Sequence, residues 1–392
     1  MTSIDLLLSG ARLVSAGGTL EPGWATVSHG VITGYGSGEP PTRDAAAVRE
    51  LDRAWLGPGF IDIHIHGSVG VDIMAADADG IRRLARFLAS RGVTSFLATT
   101  YTMDHELTMD VLRRIVDIGE SIDGGANLLG SYMEGPYVNP ARRGAHREHL
   151  VRSVDRNEVR DYLELGIVRA MAFAPELDEQ QWLLHELVRR GVTPIAGHTD
   201  ATFAQLQQAV AAGVVATTHT FNGMRGIHHR EPGAAGAALI LDELVCEVIS
   251  DGVHLAPELM TLFWRAKGPS RLALVTDAGI AGGLPDGLYH TLDRDVTVVN
   301  GVGVLADGTI SSSAGTFDED FRRFCEWTGA TFAEAWPVAS AVPARLAGVG
   351  QHKGVIDVGM DADLVVLDDN GRVLATVIGG TWQDHDEGEG AA

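Results

Sequence analysis

The sequence predicts an α/β fold: a TIM-like (β/α)8 barrel carrying a small β-sandwich domain built from both chain termini. Three observations predict it. Helix-period segments alternate with short apolar strands through the middle of the chain, whereas both ends consist of short strands between glycine turns. Glycine is abundant (48 of 392 residues) and aromatics are few (6%), as many tight strand-to-helix connections require. Length alone would allow two or three domains, but such barrels run to about 250 residues as one unit.

At the N-terminus the strand-like stretches are IDLLLSGARLV, WATVSHGVITGYG and VRELDRAWLGPG; near the C-terminus, GVIDVGMDADLVVLD and RVLATVIGGTW have the same texture. Residues 1–56 plus 351–382 are therefore expected to form the small β domain, and 57–350 the barrel. The polar, acidic stretch 383–392 is expected to be a disordered tail.

Within the barrel region, Ile81, Leu84, Ala85 and Leu88 lie at helical spacing, and VTSFLATT then reads as a buried strand. The unit recurs in DEQQWLLHELVRRGVTPIAGHTD, in TFAQLQQAVAAGVVATTHTFN and in PELMTLFWRAKGPSRLALVTDAG. Repeated helix-then-strand units argue for a parallel sheet with helical crossovers.

Barrel chemistry gathers where strands end. His198, His219 and Asp277 each follow a predicted strand, and Glu134 ends another, LLGSYME. In PGFIDIHIHG, His64 and His66 are two apart on a strand, so both imidazoles face one side and can share an ion. An isolated His-x-His is more often a surface pair; four histidines and two acids at strand ends are better explained by a metal site. Imidazoles with carboxylates suit Zn²⁺ best, and Fe²⁺, Mn²⁺ and Co²⁺ take the same donors.

The formal net charge of −22 disfavours nucleic acid and anionic membranes as partners. An anionic ligand would need a local basic cluster, and Arg225, His228, His229 and Arg230 crowd together in this acidic chain. Cys246 and Cys325 form no disulfide framework and no metal-binding spacing. The start MTSIDLLLSGARLV lacks signal-peptide features, and no apolar run approaches the ~20 residues of a membrane span. A soluble cytoplasmic protein is expected.

The segments PGFIDIHIHG, MEGPYVNPARRGAH, FAPE, GHTDAT, THTFNGMRGIHHREPG, SDGVH and VTDAG occur in that order. Together they resemble the amidohydrolase superfamily and, within it, the N-acetylglucosamine-6-phosphate deacetylases. The resemblance implies hydrolysis of the N-acetyl group of N-acetylglucosamine 6-phosphate, in amino-sugar catabolism and cell-wall recycling. It implies that Glu134, His198 and His219 hold the main ion, Glu134 standing where many superfamily members have a carboxylated lysine. His64 and His66 would hold a second, sharing Glu134 and Asp277, giving one or two ions per subunit. Asp277 would be the general base that later protonates the leaving amine, and His146 would stabilise the oxyanion.

Arg230, by the same resemblance, reaches the phosphate in the neighbouring subunit, implying a homodimer. The backbone amides of Asn222 and Gly223, with His254, would complete the sugar-phosphate pocket. This chain has HTFNGM where HLFNAM is common. The stretch ADGTISSSAGTFDEDF, with Ser311 to Ser313, is expected to be a polar, mobile loop bearing on acyl-group and epimer preference. The competing readings are an N-acetylgalactosamine-6-phosphate or broader N-acyl amino-sugar deacetylase and, outside enzymes, a scaffold that has lost catalysis. Retention of every expected ligand and of Asp277 argues against the scaffold.

Overall fold

The computed structural model describes residues 4–385. Eight parallel strands follow one another around the barrel in chain order: Phe60–Ile65, Val93–Thr100, Asn127–Glu134, Val168–Phe173, Thr193–Ala196, Ala216–Thr217, Val245–Val248 and Leu272–Leu274. They are barrel strands one to eight below. Helices cross over between them with their apolar faces inward. Ala78–Ser90 buries Ile81, Leu84, Ala85 and Leu88, as their spacing predicts, and its N-cap Asp77 accepts from Gly80 N at 2.8 Å. Phe203–Ala212 starts with a reciprocal capping box between Thr202 and Gln205. Such caps are worth about 1 kcal/mol each, because they satisfy amides that the helix itself leaves unpaired.

Inside the barrel, Ile61, Ile63, Leu97, Leu129, Ile195 and Val275 pack as a dry layer. Helix Ala341–Leu346 closes the floor beneath it, where the Leu346 carbonyl accepts from Thr193 Oγ1 at the start of strand five (2.7 Å). The strand C-termini are left as the open mouth. Gly57 shows why the entry to strand one is so small: a Cβ there would lie 2.1 Å from Trp336, whose indole N–H donates to the Pro58 carbonyl.

The two chain ends meet in one continuous eight-stranded sheet. Leu364–Leu367, from the C-terminal part, pairs antiparallel with Trp55–Pro58, from the N-terminal part. Ile4–Ser15 carries bulges near Ala11. Its first half pairs with Ala45–Glu50 and its second with Trp55–Pro58. Leu6, Leu8, Val27, Leu56, Leu364 and Val377 form its core. The expected tail begins too early, because Gln383 and Asp384 still pair with Thr376 and Ala375 in strand Thr381–Asp384. The remainder of that tail, 386–392, lies outside the described residues.

One element was not foreseen. Between strand eight and helix Phe317–Thr328, a four-stranded antiparallel flap (Gly287–His290, Asp295–Val299, Val302–Val304, Ile310–Ser313) covers the barrel mouth. The serine run is therefore strand rather than mobile loop, with Ser312 and Ser313 buried. Ser313 exchanges backbone bonds with the segment after strand eight: its N–H donates to the Asp277 carbonyl and its carbonyl accepts from Gly279.

Candidate active site

Six side chains expected at strand ends converge at the mouth. Glu134 closes strand three and is buried. Its Oε1 lies 2.9 Å from His198 Nε2 and 2.8 Å from His219 Nε2, and its Oε2 lies 3.4 Å from His66 Nε2. The carboxylate thus spans two histidine pairs, Oε1 against His198 and His219 and Oε2 against His66, with Oε1 also 3.9 Å from His64 Nε2. In the first pair the two Nε2 atoms are 3.1 Å apart; in the second, His64 and His66, they are 3.3 Å apart. Asp277 Oδ1 completes the second group at 3.3 Å from His66 Nε2 and 3.6 Å from His64 Nε2.

Aiming these side chains strains the backbone. His198, His219 and Asp277 have φ values of +46°, +22° and +47°. Each left-handed non-glycine residue costs about 1–3 kcal/mol and persists only where the surroundings impose it. Gly223 relieves the crowding, since a Cβ at its φ of +57° would meet His198 Nδ1 at 2.8 Å.

The donors fit a divalent cation. His198 Nδ1 lies 2.8 Å from the Arg142 carbonyl, which can only accept, so that nitrogen carries the proton and Nε2 faces Glu134 as a lone pair. Bare imidazole nitrogens 3.1–3.3 Å apart repel unless a cation or a proton lies between them. Two further ring nitrogens, Nδ1 of His66 and of His219, are buried without a partner among the described residues. The local field is suited to positive charge. Burial alone would lower His66, but Asp277 and Glu134 outweigh it and raise the imidazole to about 10. Burial likewise opposes Glu134 in raising His219 to about 9, and Glu134 prevails. Burial pushes Glu134 and Asp277 upward, yet the surrounding imidazoles hold Glu134 well below the usual carboxylate range and Asp277 at about 2.

His146 stands beside this cluster with Nε2 3.8 Å from Glu134 Oε2. Burial and the neighbouring His198 press its pKa down to about 3, so the ring is neutral. Its Nδ1 accepts from the Thr102 amide (3.4 Å), which puts the proton on Nε2, facing the cavity. That cavity measures about 460 Å³ and is lined by His146, Asn222, Gly223 and His254 as well as by His66, Glu134, His198, His219 and Asp277, while His64 lies buried behind them. His254 is oriented by Asp251, whose Oδ2 lies 2.6 Å from its Nδ1.

One expectation narrows, and the basic cluster divides. The Asn222 amide is already bonded to the His219 carbonyl (2.9 Å), so of the two amides expected to serve a ligand only that of Gly223 makes no backbone bond among the described residues. Within the basic cluster, Arg225 is tied to Asp200, while Arg230 is exposed, 2.7 Å from His229 Nε2, and does not line its own chain's cavity.

Sequence reasoning singled out the serine run but missed the rest of the flap and Glu247. Thr291, Asp293, Arg294 and Ser312 line the cavity. Asp293 binds Arg147, next to His146, and Leu292 N donates to Asp72 (2.9 Å), so the flap is fastened on both sides of the mouth. The Asn300-Gly301 and Asp307-Gly308 dipeptides between alternating residues were the available hairpin signal. Glu247 lies fully buried on strand seven against His64. An acid inside the apolar run VCEV was its only mark.

The amidohydrolase family model matches residues 55–383. An N-acetylglucosamine-6-phosphate deacetylase of Bacillus subtilis is 34% identical over 381 residues, covering 96% of both chains. An N-acetylgalactosamine-6-phosphate deacetylase of Escherichia coli O157:H7 is 36% identical over 364 residues, 92% of this chain and 95% of that one. In structure, a mutant N-acetyl-D-glucosamine-6-phosphate deacetylase from Mycobacterium smegmatis, in complex with N-acetyl-D-glucosamine-6-phosphate, superposes with a TM-score of 0.88 at 34% identity, covering 97% of this chain and 99% of that one. With the barrel, the His/Glu cluster at its mouth and these matches, the chain belongs to the metal-dependent amidohydrolase family, on its N-acetylglucosamine-6-phosphate deacetylase branch.

Proposed function

We propose that this protein hydrolyses N-acetylglucosamine 6-phosphate to glucosamine 6-phosphate and acetate. The observation that carries the reading is the convergence of Asp277 and His146 on one cavity with His66, Glu134, His198 and His219.

Glu134, His198 and His219 would hold one divalent ion, Zn²⁺ by donor chemistry, and His64, His66, Glu134 and Asp277 a second. Ions so held would acidify the attacking water and polarise the acetyl carbonyl. The protein's own groups do the rest. Asp277 accepts the proton of the attacking water and passes it to the amine as the C–N bond breaks, so that acetate and the free amino sugar leave. His146, protonated on Nε2, donates to the carbonyl oxygen as it gains negative charge, and being neutral it does not protonate the amine early. The flap walls one side of the cavity through Thr291, Asp293, Arg294 and Ser312.

For the phosphate, His254 faces the cavity with Asp251 behind it, and the Gly223 amide is available. Arg230 is exposed and outside its own cavity, which supports a homodimer in which it reaches the neighbour's substrate. A guanidinium suits that task by its fork of donors. Acetate release from N-acetylhexosamines with and without a 6-phosphate tests the whole reading. Release from the glucosamine derivative, strongly dependent on phosphate, is expected. The galactosamine epimer is included because a relative at 36% identity acts on it by name. Failure to release acetate from either phosphorylated epimer overturns the proposal.

A further inference from the structure

Glu247 is fully buried in strand seven, and none of the roles above uses it. A carboxyl group in a dry interior is costly unless its oxygens are hydrogen-bonded. Its Oε2 gathers three groups: the Thr218 hydroxyl donates at 2.9 Å, the His219 backbone N–H donates at 3.2 Å, and His64 Nδ1 lies at 3.1 Å. Its Oε1 has no partner among the described residues, a defect that packing alone does not explain.

The surrounding bonds settle which nitrogen of His64 carries the proton. The single hydroxyl proton of Thr218 goes to Glu247, and Thr218 Oγ1 in turn accepts from the Tyr132 hydroxyl at 2.9 Å. That same Oγ1 lies 3.1 Å from His64 Nδ1. Nδ1 therefore faces two acceptors and is the protonated nitrogen. Nε2 is left as a lone pair directed at His66, Asp277 and Glu134, at 3.3, 3.6 and 3.9 Å. Histidine ligands are commonly fixed this way, through a carboxylate on the far nitrogen.

We infer that Glu247, acting with Thr218, is a positioning residue that locks His64 with its Nε2 lone pair toward the cluster and thereby governs cation binding on the His64/His66 side. On the His198/His219 side the Glu247 carboxylate bonds only the main-chain N–H of His219 and neither imidazole, so that side is expected to keep its ion. The inference rests on the two-ion reading of the site proposed above.

The test is Zn²⁺ binding to the metal-stripped full chain, followed by chelator competition and elemental analysis. Wild type should take up two ions per chain. Glu247→Ala should weaken one of them by about 10–100-fold and leave the other unchanged. Glu247→Gln, which keeps an oxygen for His64, should lose less. The His64→Ala variant identifies the affected ion, and adding Glu247→Ala to it should cause no further loss, whereas general damage would be additive and reach both ions. Should Glu247→Ala not fold, Glu247→Gln decides: wild-type affinity for both ions overturns the inference. So does equal weakening of both ions in either variant, or a wild type that binds one ion only. Acetate release is scored separately. Two ions without deacetylation would overturn the proposed function and leave the role of Glu247 standing.

Discussion

The backbone N–H of Asp277 donates to the carbonyl of His64 at 2.9 Å, joining the acid after the last barrel strand to the histidine at the end of the first. No strand ladder is formed between strands eight and one, so this bond lies on the barrel seam. On its other side the Asp277 carbonyl accepts from Ser313 of the flap. The main chain of Asp277 is thus clamped by barrel and flap, which lets its side chain hold one orientation at a strained φ.

Asp277→Asn preserves that clamp and the shape of the side chain but removes the proton acceptor. Turnover should fall by about 10²–10⁴-fold, the usual loss for a general base. Substrate binding should persist. Steady-state acetate release with substrate-binding calorimetry checks this, and near-normal turnover with intact metal content would place the base elsewhere.

Strong chelation should abolish activity, and Zn²⁺, Mn²⁺ or Co²⁺ should restore it, because neutral water is a poor nucleophile without a cation beside it. His198→Ala or His219→Ala should remove the main ion, whereas His64→Ala should deplete only the second. Elemental analysis alongside activity distinguishes them. A verified metal-free preparation with full activity is incompatible with the mechanism.

Arg230→Ala should raise the Michaelis constant for the phosphorylated sugar by about 10–150-fold, the equivalent of one charged hydrogen bond. Activity on the unphosphorylated sugar should hardly change. Mixing Arg230→Ala chains with Asp277→Asn chains tests the cross-subunit geometry, because a heterodimer then has one site with both a base and a donated arginine. Demonstrable heterodimers without recovered activity would falsify it.

Away from the site, Lys353 is buried between Asp361 (2.9 Å) and Asp363 in the loop leading into the terminal sheet. Lys353→Met should cost about 3–5 kcal/mol, since it leaves carboxylates without their cation. Burial opposes the charged lysine, but the two aspartates raise its pKa, so its contribution is complete below the ordinary lysine value and fades as pH climbs through the raised one. Burial also opposes Asp361, but Lys353 and His352 lower it, so its contribution is present above the ordinary aspartate value and fades as pH falls through the lowered one. Denaturant unfolding across pH should therefore show the largest wild-type advantage between those limits and a shrinking one in acid. An advantage that stays constant into strong acid would refute the ionic account.

Local pattern carried much of the fold and site. Ile81, Leu84, Ala85 and Leu88 declared a helix face because a 3.6-residue period is a property of neighbours in sequence. His64 and His66 declared a shared direction because strands alternate, and His198, His219 and Asp277 were legible because barrel strands end at one face. Glu247 was not legible, since its meaning depends on His64, 183 positions away, and on the hydroxyl of Thr218. Nor was the pairing of Arg225 with Asp200, since Arg225 and Arg230 share a local composition; only packing delivers Asp200 to one of them and leaves the other exposed. Sequence alone determined which residues sit at the ends of strands, because local periodicity and turn chemistry act over a few residues. Tertiary structure alone decided which of them meet: the approach of Glu134 to His219, 85 residues on, to 2.8 Å is fixed by barrel closure and core packing rather than by anything within either segment.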